Sequence, residues 1–288
     1  MASPREIRRR IRSVRNISQI TRAMEMVSAS KMRRAQQRVL ASRPYAERLQ
    51  GVIADLASLQ IGTEETARFP LLQQREITHT GVILITPDKG LTGPLNSNLL
   101  RRASRYILNE AGVPVRVIAA GRKGRDFMIR NRQDVIAEFT GLGDHVSLDD
   151  LRPIAQVAVD DFIAGRVDAV HVVFPRFVNT LSQVPEVRQI LPIVRPESEG
   201  TYTDYIFEPS PEAVLESLLP RFVEIQLYQA MLESIASEHS ARMVAMRNAS
   251  QNARDLVADL TLTYNKARQA QITREVSEIA AGAEAMKG

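Results

Sequence analysis

The sequence predicts an α/β protein in which both chain ends form a long antiparallel two-helix coiled coil, with a small parallel α/β domain between them. Two observations at the ends and one in the middle carry this expectation. Apolar or small residues recur at spacings of three and four near the N-terminus, and again from Pro211 almost to the last residue. Between these stretches the period shortens to that of strands alternating with helices. The expected divisions are an N-terminal helix in 1–60, the α/β domain in 75–200 and a C-terminal helix in 210–288.

The first helix should start at Ser3–Pro4, a cap and first-turn pair with Glu6 in the first turn. Its apolar line reads Ile7, Ile11, Val14, Ile17, Thr21, Met24, Ser28, Met32, Ala35 and Val39. Pro44 lacks a backbone donor and should kink or break the helix, which then resumes through Leu49, Val52, Ile53, Leu56 and Leu59. In the middle, Thr80–Thr86, Val113–Ala119 and Asp168–Phe174 read as strands, with helices at about 95–110 and 149–164. Thr180–Ile193 reads as a longer, more exposed strand, expected at an edge.

From Pro211 the helical pattern is interrupted only by Pro220. Its seam reads Phe222, Ile225, Leu232, Ala236, His239, Met243, Met246, Ser250, Ala253, Val257, Leu260, Tyr264 and Ala267. About 75 residues of helix would reach roughly 110 Å at 1.5 Å per residue. A compact domain cannot cover such a rod, so it needs a helical partner, and the N-terminal helix is the good one available. The seam is rich in Ala, Ser and Met, which lets helix axes approach closely but buries little apolar area per turn.

The chain has 288 residues, a net charge of +5 and no cysteine, which excludes disulfides and thiolate metal sites. No stretch is apolar for long enough to span a bilayer, and the opening MASPREIRRR has no signal-like apolar segment. Residues 4–43 hold twelve basic side chains against two acids, Glu6 and Glu25. Such an arm calls for an acidic partner, and from charge alone nucleic acid and an acidic protein surface stand nearly even.

Catalytic signals are weak. DKGLTGPLNSN, Asp88–Asn98, follows a strand and precedes a helix, a setting that suits phosphate. Yet it fits neither GxxxxGK[ST] nor GxGxxG, and the favoured reading is a tight turn with Asn96 or Ser97 near the helix cap. GRKGRDF, Gly121–Phe127, reads as a flexible basic loop. His79, His145, His171 and His239 have no metal-site spacing. No catalytic residue, metal ligand or cofactor is therefore expected, nor any activity in the isolated chain.

Four segments bear a resemblance that decides between the partners. REIRRRIRSVRNISQITRAMEMVSASKMRRAQ at the start, DKGLTGPLNSN in the middle, and the stretches Ser234–Ser250 and Leu262–Ala285 resemble the gamma subunits of F-type ATP synthases. That family more often has Cys or Ala at Thr92 and Gly at Pro94; Pro94 could alter the local turn. The likeness spans essentially the whole chain.

The resemblance implies a non-catalytic central shaft, a long antiparallel two-helix coiled coil with a Rossmann-like parallel-sheet domain at its foot, that turns inside a head of three alpha and three beta subunits. Its foot would meet the epsilon subunit and the membrane ring of c subunits, with one copy per complex and no nucleic acid. A position on the cytoplasmic side of a bacterial membrane, attached peripherally, follows from the same likeness. It also implies beta-subunit contacts at Arg8, Arg9, Met24, Arg33 and Arg34, and a catch against beta at Gln269, Thr273 and Glu275. Tyr202, Tyr205, Phe207 and Glu208 would meet the c-ring and epsilon. Since the N-terminal helix starts near residue 4, the segment from Gln269 to about Ala285 should be an unaccompanied tip.

Overall fold

The computed structural model describes residues 3–60, 69–194 and 208–286. Helix α1 spans Pro4–Gln60 and helix α5 spans Pro211–Ala285. Between them lie β1 (Thr80–Ile85), α2 (Leu95–Arg105), β2 (Val115–Ala120), α3 (Arg122–Arg130), β3 (Asp134–Phe139), α4 (Leu148–Ile163), β4 (Ala169–Phe177) and β5 (Gln183–Leu191). The chain forms two compact units: one is Ser28–Arg242, and the other joins the residues up to Val27 to those from Met243 onward.

In the larger unit, five strands form one sheet in the order β3-β2-β1-β4-β5. The first four are parallel, with Thr80 opposite both Val115 and Ala169, and β5 returns antiparallel on β4. Every residue of β1 is buried, as expected for a central strand covered on both faces. The alternation of side chains sorts the core. Ile83, Ile85, Ile118, Val172 and Phe174 pack with α4, α1 and α5, while Val82, Leu84, Val117 and Val173 pack with α2 and α3. Each such large apolar side chain stabilises the fold by about 1.5–3 kcal/mol when fully buried.

Local sequence sets the element ends. Ser3 Oγ accepts the Glu6 amide, giving α1 its cap. Ser147 and Asp150 form a reciprocal capping box on α4. The turn between β4 and β5 is held by Asn179 Oδ1, which accepts the Leu181 and Ser182 amides. The exposed C-terminal strand expected from the sequence is thus β5, reached by a hairpin.

Several local expectations are corrected. Of the kink or break expected at Pro44, the break is overturned: helix α1 is continuous through it. The segment Gly121–Phe127 begins a helix, α3, and is not a flexible loop. No Ser or Asp precedes it to announce a cap; its first amide is capped from afar by Asp88. Strand β3 went unread because its apolar positions are only half-buried at the sheet edge. Strand β2 starts two residues later than expected, after Pro114, whose carbonyl instead accepts the Thr80 amide. The last turn of the helix expected at 95–110 is a π turn, Tyr106–Glu110.

In the smaller unit, α1 and α5 run antiparallel. Ser18 and Ser250 exchange hydroxyl-to-carbonyl hydrogen bonds at 3.4 Å each, and Arg247 donates to Glu25 at 2.8 Å. As the number rises along one helix it falls along the other.

Candidate functional site

The seam of α1 is a strict heptad. Ile7, Ile11, Val14, Ser18, Thr21, Glu25, Ser28, Met32, Ala35 and Val39 are all buried or half-buried. Spacings that alternate four and three average 3.5 residues, the repeat of a coiled coil. This corrects Ile17, which was expected on the seam and is 50% exposed. The polar Ser18 takes its place because the seven-residue repeat, not side-chain apolarity, sets the facing position. On α5 the expected seam holds: Phe222, Ile225, Leu232, Ala236, His239, Met243, Met246, Ser250 and Ala253 are buried, and Val257, Leu260, Tyr264 and Ala267 half-buried.

Beyond Ala267 every described side chain of α5 is exposed. Gln269 and Thr273 lie four residues apart on one face. Glu275 sits about 240° round from Gln269 at 100° per residue, so the three do not share a stripe. Glu275 accepts a hydrogen bond from Gln271 at 2.8 Å. Ile272, Val276 and Ile279 are also exposed on this segment.

Of the basic residues singled out, Arg8, Arg9, Arg33 and Arg34 are exposed, and Arg34 donates to Ser30 at 3.2 Å. Met24 is half-buried. Exposed Ile17, Ile20, Met26 and Val27 add an apolar component to the same helix. Glu208 is exposed, two residues ahead of the Ser210 that precedes α5. Tyr202, Tyr205 and Phe207 lie outside the described residues.

The larger unit fixes the middle of α5. From Arg221 to Arg242 it has no exposed residue. Ser237 donates to the Pro175 carbonyl at 2.8 Å, Ser240 to Thr180 at 2.7 Å and Arg242 to Gly90 at 3.2 Å. These acceptors lie at or beyond the carboxyl ends of β4 and β1. In an open parallel sheet that edge, where the strand order reverses between β1 and β4, is the usual ligand crevice. Here α5 occupies it.

The chain's own groups fill the remaining anion positions. Asp88 accepts the Arg122 amide at 2.8 Å and the Gly141 amide at 2.9 Å, so a carboxylate already sits at the start of α3. Thr86 Oγ1 accepts the Gly124 amide at 2.8 Å. The cavity left beside Asp88, Gly121 and Glu238 is about 40 Å³, enough for a water and far below a nucleotide pocket. At α2 the cap is Pro94, which offers no N–H, and the turn before it uses positive φ at Leu91 and Gly93. Asn96 lies just inside α2 and reaches back to the Lys89 carbonyl at 3.5 Å. A larger groove of about 580 Å³ lies between α1 and the end of β4. Its charged groups, Arg43, Arg176 and Glu233, are of mixed sign around Leu40, Phe177 and Val178.

A polar cluster that the sequence did not announce joins three elements. Asp144, in the loop between β3 and α4, accepts from Lys31 of α1 at 2.6 Å and pairs with His239 of α5 at 2.9 Å. Its carbonyl also accepts Arg38 at 2.9 Å. Nothing in GLGDHVS announces the cluster, because its partners lie about a hundred residues away on either side. His171 meets Tyr106 at 2.9 Å, and burial pushes the Tyr106 phenol up to about 12.

A family model for ATP synthase matches residues 3–286. The ATP synthase gamma chain of Roseiflexus castenholzii is 58% identical over 290 residues, covering 99% of both chains. This chain belongs to the ATP synthase gamma-chain family. The gamma chain of Herpetosiphon aurantiacus is 56% identical over 295 residues, again across 99% of each chain. Among solved structures, the central stalk and c-ring of Tetrahymena thermophila mitochondrial ATP synthase aligns with a TM-score of 0.60 and 26% identity, covering 80% of this chain and 99% of that one. The Euglena gracilis mitochondrial ATP synthase rotor gives a TM-score of 0.65 at 22% identity, over 93% and 98% of the chains. At that identity the likeness speaks for the fold alone.

Proposed function

We infer that this chain is the central, non-catalytic stalk of an F-type ATP synthase, carrying rotation between the membrane c-ring and the catalytic beta subunits. The observation that carries this is the end-to-end family match, residues 3–286, on a chain whose two longest helices pair antiparallel. The work divides into the terminal helices, 1–60 and 210–288, and the α/β domain, 75–200. The helices enter the head, and the domain is the foot. Three alpha and three beta subunits, one epsilon subunit and the c-ring are its partners, with one stalk per complex. Among the described residues no helix is long and apolar enough to cross a membrane. Attachment to the cytoplasmic face of a bacterial membrane therefore runs through the c-ring.

Exposure supports the proposed contact residues. Arg8, Arg9, Arg33 and Arg34 present charge outward, beside Met24, to acidic segments of beta. Exposed pairs of this kind are individually weak, so a turning shaft is attracted without being locked at one angle. Gln269, Thr273 and Glu275 are the catch near the tip. Tyr202, Tyr205, Phe207 and Glu208 are assigned to the c-ring and epsilon. Mixing the purified chain with alpha and beta subunits tests the assignment. A stable complex that hydrolyses ATP is expected, and failure to assemble would overturn it. Retention of short nucleic-acid duplexes near physiological salt would favour the rival reading of a basic nucleic-acid-binding coiled coil.

A further inference from the structure

The stalk must pass torque from its α/β domain into two helices, and hydrogen bonds fix an angle in a way that the non-directional hydrophobic effect does not. Ser237, Ser240 and Arg242 bond α5 alone to the sheet domain, whereas Asp144 makes directional contacts to both helices. Its Oδ2 accepts Lys31 of α1 at 2.6 Å, its Oδ1 meets His239 Nε2 of α5 at 2.9 Å, and its carbonyl accepts Arg38 of α1 at 2.9 Å. One loop residue of the sheet domain is thereby bonded to both long helices. Arg242 extends the cluster, donating to Glu238 at 2.6 Å and to the Gly90 carbonyl at 3.2 Å. Ser28 and Arg242 are the first and last residues of this compact unit, so the contacts fall in the last turns before each helix leaves it. Charge-assisted hydrogen bonds in such a place fix angle as well as distance.

We propose that Asp144 is the positioning residue that locks the rotational register of both long helices on the α/β domain, and that His239 makes this lock weaken on acidification. The proposal rests on the stalk function inferred above. His239 has a side chain only 3% exposed. Its neutral ring suits both neighbours in one tautomer: Nε2–H donates to Asp144, while Nδ1 faces Arg242 NH1 at 3.5 Å. A second proton, on Nδ1, would point at a guanidinium.

The charged and titratable groups around it are Lys31, Arg34 and Arg38 from α1, Asp144 and His145 from the loop, and Glu238 and Arg242 from α5. Burial pulls the His239 pKa below its ordinary value; Asp144 and Glu238 oppose this, and Arg242 adds to it. Burial alone would raise the Asp144 carboxyl, but Lys31 and His239 outweigh it and hold its pKa low. Asp144 therefore stays ionised while histidine titrates. A depressed folded-state pKa gives stability that is full above the unfolded value and lost as pH falls through it toward the folded value. The docked arrangement disfavours the second proton, so that proton must loosen the arrangement.

The test uses the assembled head. The chain has no cysteine, so Leu108→Cys, at a site 71% exposed, takes a single rotation probe on the α/β domain. With the head immobilised and arrested by a non-hydrolysable ATP analogue, angular fluctuations of the probe give the torsional stiffness of the shaft. The unsubstituted shaft should keep its stiffness near pH 7 and soften by about two-fold as pH falls below the ordinary histidine value of about 6.5, because burial lowers the point at which the docked His239 takes up its proton. His239→Gln, which keeps a donor but cannot titrate, should have a flat profile. Asp144→Asn and Lys31→Met should both be softer at every pH. Unchanged stiffness in these two, or an acid softening in His239→Gln equal to the parent's, would overturn the proposal. A complex that does not assemble at all would count against the stalk function instead, so the two failures are distinguishable.

Discussion

Gly121 shows how a single residue joins sequence to site. Its φ is +113°, and a Cβ there would stand 1.9 Å from the Thr86 carbonyl oxygen, against backbone that cannot yield. The close approach brings the start of α3 against the end of β1 and lets Asp88 cap it. Gly121→Ala should destabilise the chain by about 3 kcal/mol or more, combining strain and steric overlap. Gly51→Ala has the opposite sign. Gly51 lies inside α1 with open space around its missing Cβ, so alanine should stabilise by roughly 0.5–1 kcal/mol through helix propensity. Urea unfolding of the two variants beside the parent checks both signs. Thr92 belongs to the same scale: it is 1% exposed and its hydroxyl has no partner, a cost the fold carries.

At the scale of elements, the long helices were legible because their pattern repeats over many turns, and the α5 seam was read residue by residue. The α1 seam slipped at Ile17 because a 3.6-residue reading and a 3.5-residue repeat diverge within a few turns. The edge strand β3 escapes a sequence reading because its apolar positions are only half-buried, and helix α3 because its capping carboxylate, Asp88, lies far away in sequence. The Asp144 cluster was invisible for the same reason. The Glu25–Arg247 pair illustrates how little one seam contact contributes. Arg247 has a side chain 61% exposed, so Glu25→Ala should cost less than about 0.5 kcal/mol in a thermal melt. The tip is a different matter, since its described side chains are all exposed and its proposed role lies in partners. Substituting Gln269, Thr273 and Glu275 together should leave folding and assembly intact while lowering torque-coupled turnover. Deleting residues 280–288 should be milder. Rotation assays on assembled heads compare the two, and an unaffected triple variant would remove the proposed catch.

At the scale of the whole molecule, a doubly wound sheet has lost its ligand crevice to one of its own helices and gained a rigid attachment for a shaft. Calorimetry should accordingly detect no micromolar ATP binding to the isolated chain, because α5 and Asp88 hold the positions that phosphates would need. The fold then serves coupling, and its chemistry belongs to its partners. The most direct test is rotation itself: the chain, probed at Leu108→Cys, assembled with alpha and beta subunits on a fixed surface and supplied with ATP. Continuous rotation of the probe in one direction, ceasing when ATP is withdrawn, is the predicted result. A head that hydrolyses ATP at full rate while the probe on this chain stays still would contradict the account.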